Sequence, residues 1–189
     1  KGTFIKENIE SLFKAKDYLI SPINTPQLFV EGNYYLTGQQ EEIKNKIING
    51  IDNREHKIWG IQGREAIGKT LLLCDFARTL GQMMRVCVIH SGILSQGHIE
   101  LNSILREVDI IPVKECNENL IRQYDCILID ESQRLYQVDF DCIVKAFQDL
   151  NIHCIFGYDY YQVLSYAEEN RNIPEQLNRL SFFCENKLS

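Results

Sequence analysis

Residues 63–70 read Gly-Arg-Glu-Ala-Ile-Gly-Lys-Thr, a match to G-x-x-x-x-G-K-[ST]. That spacing suits one task, the holding of a chain of phosphates. Glycines let the backbone turn tightly, successive N–H groups face the anion, and the helix that follows presents its positive end. The expected nucleotide contacts are therefore Gly63, Arg64, Glu65, Ala66, Ile67, Gly68, Lys69, Thr70 and Leu71. Lys69 is spaced to reach the β- and γ-phosphates, and the Thr70 hydroxyl to sit on Mg²⁺. Two residues depart from the common form Gly-x-x-Gly-x-Gly-Lys. Ala66 replaces the middle glycine, where a positive φ would strain it, and Glu65 adds a negative charge beside an anionic ligand.

A second run able to do chemistry is Tyr124-Asp125-Cys126-Ile127-Leu128-Ile129-Asp130-Glu131. Apolar strand residues lead into two adjacent carboxylates. In parallel α/β sheets ligands bind at the carboxyl ends of strands, which brings such a pair to the phosphates. Asp130 is then a Mg²⁺ ligand and Glu131 the group that polarises an attacking water. A third apolar run, Ile152–Gly157, ends in Tyr158-Asp159-Tyr160-Tyr161-Gln162. A glutamine at that tip is suited to sensing the γ-phosphate or orienting water, although D-x-x-Q alone is a weak signal.

The elements that must position these groups are legible nearby. Lys57–Ile61 is short, apolar and β-prone, as a buried strand feeding the loop should be. Thr70–Leu80 carries apolar residues at helical spacing, and Gly81 is a natural stop. Strands are expected near 57–61, 85–90, 124–130 and 152–157, with the loop-bearing strand central. A helix is expected over Asp139–Leu150. The prediction is an α/β three-layer sandwich with a mainly parallel sheet.

With these motifs in view, the chain resembles the first RecA-like domain of superfamily 1 helicases, over roughly residues 34–165. It is most similar to bacterial and Schlafen-type helicase-like P-loop ATPases. Asp130-Glu131-Ser132-Gln133 resembles the D-E-x-Q motif of that superfamily, and Asp159-x-x-Gln162 its G-D-x-x-Q motif, with Tyr158 inserted after Gly157. Leu36–Gln40 is similar to its L-x-x-x-Q motif, in which the glutamine reads the adenine edge; that likeness gives Gln40 a preference for ATP. From the residues alone, Leu36–Gln40 is equally a helix start with incidental glutamines. The likeness also implies ATP and Mg²⁺ as cofactors, single-stranded DNA or RNA as a partner of the full-length protein, and a second RecA-like domain bringing arginines across the cleft. Ser91, Ser95, Gln96 and His98 lie where these helicases touch strand backbone, but a solvated loop is the simpler reading. Tyr160 and Tyr161 are suited to base stacking, with packing against helices the plainer use.

Composition narrows the classes. Apolar residues make up 44% and charged residues 24% of 189, ordinary values for a globular domain. No apolar run reaches bilayer-spanning length, so no membrane partner is expected. Net charge is −6, and a stand-alone nucleic-acid binder usually carries a basic patch that is not visible here. Seven cysteines occur without a C-x-x-C pair, and three fall in expected core strands. That pattern predicts a reducing, cytoplasmic setting. The four histidines have no metal-ligand spacing to them, so zinc is not expected.

Residues 1–35 are expected to form an amphipathic helix over Phe4–Leu19 and an extended, Pro-containing connector over Ser21–Val30. Residues 36–189 form the ATP-binding domain, ending in one more helix and a β-prone Leu180–Cys184. The first residue is Lys1, which fits an excised piece of a longer protein, and the second RecA-like domain is expected to be absent. Slow or undetectable ATP turnover by the isolated chain follows from that. One rival reading is a nucleotide-gated signalling module with weak or no hydrolysis, favoured by Ala66, Glu65 and the acidic balance. Another is a small-molecule kinase, disfavoured by the adjacent Asp130 and Glu131.

Overall fold

The computed structural model describes residues 20–55, 57–64, 66–150, 152–162 and 172–189. The expected helix over Phe4–Leu19 and the side chain of Glu65 lie outside the described residues. In chain order the elements are α1 (Pro26–Val30), α2 (Gly38–Asp52), β1 (Ile58–Gln62), α3 (Lys69–Gly81), β2 (Val86–His90), α4 (Gln96–Ile104) and β3 (Val108–Pro112). They continue with α5 (Glu118–Ile121), β4 (Cys126–Asp130), α6 (Gln137–Leu150), β5 (His153–Tyr158), α7 (Ile173–Asn178) and β6 (Phe183–Lys187).

The six strands form one sheet in the order β3-β2-β4-β5-β1-β6, and every pairing is parallel. Because side chains alternate across a strand, one run of apolar residues feeds two cores. Val86, Val88, Cys126, Leu128 and Ile155 enter the core under α2 and α3; Cys87, Ile89, Ile127, Ile129 and Phe156 enter the core under α6 and α7. Leu72, Phe76 and Leu80 of α3 are all fully buried, each worth roughly 1.5–3 kcal/mol relative to exposure. On the other face Phe140, Ile143 and Phe147 of α6 recur at helical spacing and are at most 4% exposed.

The structure corrects four details of the sequence reading. β1 is interior but not central, since only β6 lies beyond it. Residues 26–30 are not extended: Pro26 occupies the first turn of α1, where its fixed φ suits a helix, and Phe29 is fully buried. β3 falls where no strand is expected, because Asp109 and Pro112 break the apolar run; at a sheet edge both are tolerated. The last strand is Phe183–Lys187 rather than Leu180–Cys184. Its register is fixed by pairing with β1, Ile58 to Phe183, and by polar side chains that propensity does not weigh. Asn186 is buried, donating to the Gly60 carbonyl and accepting from Lys46 Nζ, while the Tyr158 hydroxyl donates to Glu185.

Candidate nucleotide site

All strands run in one direction, so the tips of β1, β2, β4 and β5 rise at the same end of the sheet. β1 leads into the loop at Gly63, whose N–H donates to the Tyr158 carbonyl at 3.1 Å. A Cβ at Gly63 would meet Ile67 Cγ2 at 2.7 Å, so the loop folds onto itself only with glycine there. Gly68, the N-cap of α3, has φ of 87°, and Ala66 has φ of 62°. The backbone thus keeps a glycine-type conformation at Ala66, at a cost of about 1 kcal/mol for a side chain with a Cβ. Lys69 is 5% exposed, and its Nζ donates to the Arg64 carbonyl at 2.8 Å, which keeps the ammonium inside the loop.

Thr70 Oγ1 donates to Asp130 Oδ2 at 3.1 Å, joining the start of α3 to the end of β4. Asp130 is 5% exposed, and its Oδ1 accepts the Glu131 amide. One hydroxyl and one carboxylate, both hard oxygen donors, fit Mg²⁺, which keeps its remaining positions for phosphate oxygens and water. Among the described residues no group of three His, Cys, Asp or Glu side chains is placed to hold a metal by itself. The donor set therefore suits a cation that arrives with phosphates.

Glu131 sits just beyond the strand at φ of 55°. Burial, and then the neighbouring Asp130, push its carboxyl above the usual glutamate range, with Arg134 at 3.3 Å and Lys69 acting in the opposite sense. A raised carboxyl beside a phosphate site is suited to general-base work. Gln133, 3% exposed, ties three parts together. Its Nε2 donates to Glu131 Oε2 at 2.9 Å and to Gln162 Oε1 at 3.2 Å, and its Oε1 accepts the Asp159 amide at 3.2 Å. Ser132, fully buried, donates to the Gly157 carbonyl at 3.1 Å. The exits of β4 and β5 are thereby bolted together, and Gln162 is brought to the carboxylates. In sequence Gln133 stands only as the last residue of D-E-x-Q, without a role; its signal is the acid–amide spacing itself.

The pair His90 and His98 was not anticipated at the site. His90 ends β2 in register with Asp130, its Nδ1 3.8 Å from Asp130 Oδ2, and its ring centroid 4.4 Å from that of His98. Burial, and then His90, lower the pKa of His98. The register alone is the clue: the last residue of a strand beside β4 must face the same tip. Ser95 and His98 hydrogen-bond to each other and cap α4, and Gln96 opens that helix. Ser91 N donates to the Asp130 carbonyl.

A cavity of about 460 Å³ spans the outside of the loop, lined by Pro22, Tyr35, Gln40, Ala66, Lys69 and Glu131 among others. Gln40 lies at its wall with its amide bonded to Thr37 and the loop, and Leu71 also lines it. Tyr160 and Tyr161 are exposed at the β5 tip, and the Arg64 guanidinium stands 5.9 Å from the Tyr161 ring. A larger depression, about 760 Å³, lies at the opposite end of the sheet. Two of its charges are paired, Arg85 with Asp125 and Asp109 with the Tyr124 hydroxyl, and among the described residues no glycine-rich loop or helix start faces it.

Phosphate loop, buried lysine, and a threonine–aspartate pair at parallel strand tips decide the class. The fold is that of the RecA-like P-loop ATPases. The chain is similar to domain III of the replication initiation protein DnaA from Thermotoga maritima, at 16% identity and a TM-score of 0.52, covering 86% of this chain and 68% of that one. It is also similar to the flagellar accessory protein FlaH from Methanocaldococcus jannaschii, at 15% identity and a TM-score of 0.45, over 66% of this chain and 72% of that one. No protein-family model and no curated protein sequence matches. No described helix is long and apolar enough to cross a membrane.

Proposed function

We propose that this chain is the ATP-binding domain of a superfamily 1 helicase-like ATPase, which couples Mg·ATP hydrolysis to movement on, or sensing of, nucleic acid in the full-length protein. The observation that carries the reading is Gln133. Its single amide links Glu131, the water-activating carboxylate of this reading, to Gln162, its γ-phosphate sensor, and to the backbone of Asp159. In this reading Lys69 binds the β- and γ-phosphates, and Thr70 with Asp130 would hold Mg²⁺, which would supply charge neutralisation at the phosphate oxygens. Glu131 takes the proton of the attacking water, and Gln162 orients that water or registers loss of the γ-phosphate. Tyr160 and Tyr161, exposed beside Arg64, supply faces on which unstacked bases of single-stranded DNA or RNA would rest.

A second reading, a nucleotide-gated signalling module with weak or no hydrolysis, is favoured by the left-handed Ala66 and by Arg134 on Glu131. Calorimetric titration of Mg·ATP, with Lys69→Ala as control, tests what both readings share. Binding is expected in the wild type and at least about 100-fold weaker in the variant, since the lost contact is a buried, charge-assisted one. Equal binding in both proteins would sink the site. Titration with single-stranded DNA then separates the two readings: the helicase-like one expects affinity that falls steeply with salt, and the signalling module expects none.

A further inference from the structure

The side chain of Gln40 is 3% exposed and hydrogen-bonded at both ends of its amide. Its Oε1 accepts the Thr37 N–H at 2.8 Å, completing the capping box of α2. Its Nε2 donates to two successive carbonyls of the phosphate loop, Ile67 at 3.3 Å and Gly68 at 3.4 Å. The fit is close, since a Cβ on Gly68 would lie 2.5 Å from Nε2. In a trans peptide plane the C=O and the N–H that follows it point in opposite directions. Drawing the Ile67 carbonyl toward Gln40 therefore turns the Gly68 N–H the other way, and at Gly68, whose carbonyl also accepts the Leu72 N–H at 3.0 Å, Gln40 and α3 together turn the Lys69 N–H. Those are the donors that a loop of this kind offers to phosphate.

We propose that Gln40 is a positioning residue of the phosphate loop, not a reader of the base: through the Ile67 and Gly68 carbonyls it aims the Gly68 and Lys69 N–H groups at the ligand. The proposal rests on residues 63–70 being a phosphate site. It means that the site's dependence on Gln40 is a dependence on phosphate, shared by every nucleoside triphosphate and by the bare phosphate chain. Whatever preference the site has for adenine arises elsewhere in the cavity. Both ends of the Gln40 amide would have to be released before it met a base edge, taking this donor from the Ile67 carbonyl and leaving the Gly68 carbonyl with the Leu72 N–H.

The test is titration of Mg·ATP, Mg·GTP and magnesium tripolyphosphate into wild type, Gln40→Leu and Gln40→Glu. Glu keeps the oxygen that caps Thr37 but sets an acceptor against the two carbonyls, so the helix start survives while the clamp is lost. The expected result is that both variants weaken all three ligands by the same factor, about tenfold for two lost hydrogen bonds. Loss confined to ATP, with GTP and tripolyphosphate unchanged, would overturn the proposal and return Gln40 to reading the base. Backbone hydrogen exchange without ligand provides a readout that does not depend on nucleotide binding. Faster exchange confined to residues 66–70 in Gln40→Glu, at an unchanged unfolding midpoint, supports the clamp; unchanged exchange there refutes it. If wild type binds none of the three ligands, the nucleotide reading fails and the exchange measurement still decides the role of Gln40.

Discussion

The two ends of the sheet are built from the same strands and obey different rules. At the amino-terminal end charges meet partners at the surface: Arg85 holds Asp125 through two side-chain hydrogen bonds, and that pairing keeps the Asp125 carboxyl below its usual range. The one left-handed residue described in the turn into β1, Arg54 at φ of 56°, is exposed and lines neither of the two cavities. At the carboxyl-terminal end Ala66 and Glu131 are both left-handed, Lys69 and Asp130 are buried, and the buried Nδ1 of His90 and Oγ of Ser91 have no hydrogen-bond partner within the protein. Buried charge is gathered at the carboxyl-terminal end, whereas at the other end the left-handed Arg54 and the Arg85–Asp125 pair are exposed. Stability that could have been had at the strand tips was given up there, as is common where a structure keeps a site.

Gln133 holds the carboxyl-terminal end together more than any exposed pair holds the other. Gln133→Ala leaves the Asp159 N–H without its acceptor and Glu131 without its amide donor, and should lower unfolding free energy by about 2 kcal/mol in denaturant titration. Removing the exposed Arg85 side chain at the other end should do much less. If the two substitutions cost the same, the contrast between the ends is wrong. A smaller effect of opposite sign is expected from Glu131→Gln. The Glu131 carboxyl is raised by burial, so the folded state holds its proton more tightly than the unfolded chain, and stability is lost as pH rises above the ordinary glutamate range. The amide removes that loss: the variant should melt higher than wild type at neutral pH, with the gain vanishing near about pH 4. A gain that persisted in acid would point to some other cause. The smallest change is Ala66→Gly, which relieves the left-handed alanine but adds freedom to the unfolded chain; a net gain of about 0.5 kcal/mol is expected. A loss on thermal unfolding would mean that the alanine methyl packs usefully.

The sequence made the strands legible where both faces are apolar. Cys126–Asp130 and His153–Tyr158 are continuous buried runs ending in polar residues, and their boundaries fall within two residues of those expected. It failed where polar side chains set the structure. β6 is held by Asn186 and Glu185, and β3 contains Asp109 and Pro112, so neither reads as a strand until its neighbours are known. At the site the phosphate loop, Thr70 and Asp130 were each visible as local spacing, and the fold brings them within hydrogen-bond distance. The bonds that Gln133 makes to Asp159 and Gln162, and the register that sets His90 beside Asp130, were not visible. They join residues remote in sequence, and only the order of the strands puts them side by side.

β1, which carries the phosphate loop, has neighbours that come late in the chain: Ile58 pairs with Cys154 on one side and Phe183 on the other. During synthesis the loop sequence leaves the ribosome long before either strand that will hold it. β2, β3 and β4 can pair among themselves in the meantime, as consecutive strands of one half of the sheet. Such long-range closure is slow, since the chain must lose the entropy of a large loop before the contact repays it. The phosphate loop thus gains its shape only when the last third of this chain is in place, so that an unfinished domain has no formed loop to offer a nucleotide.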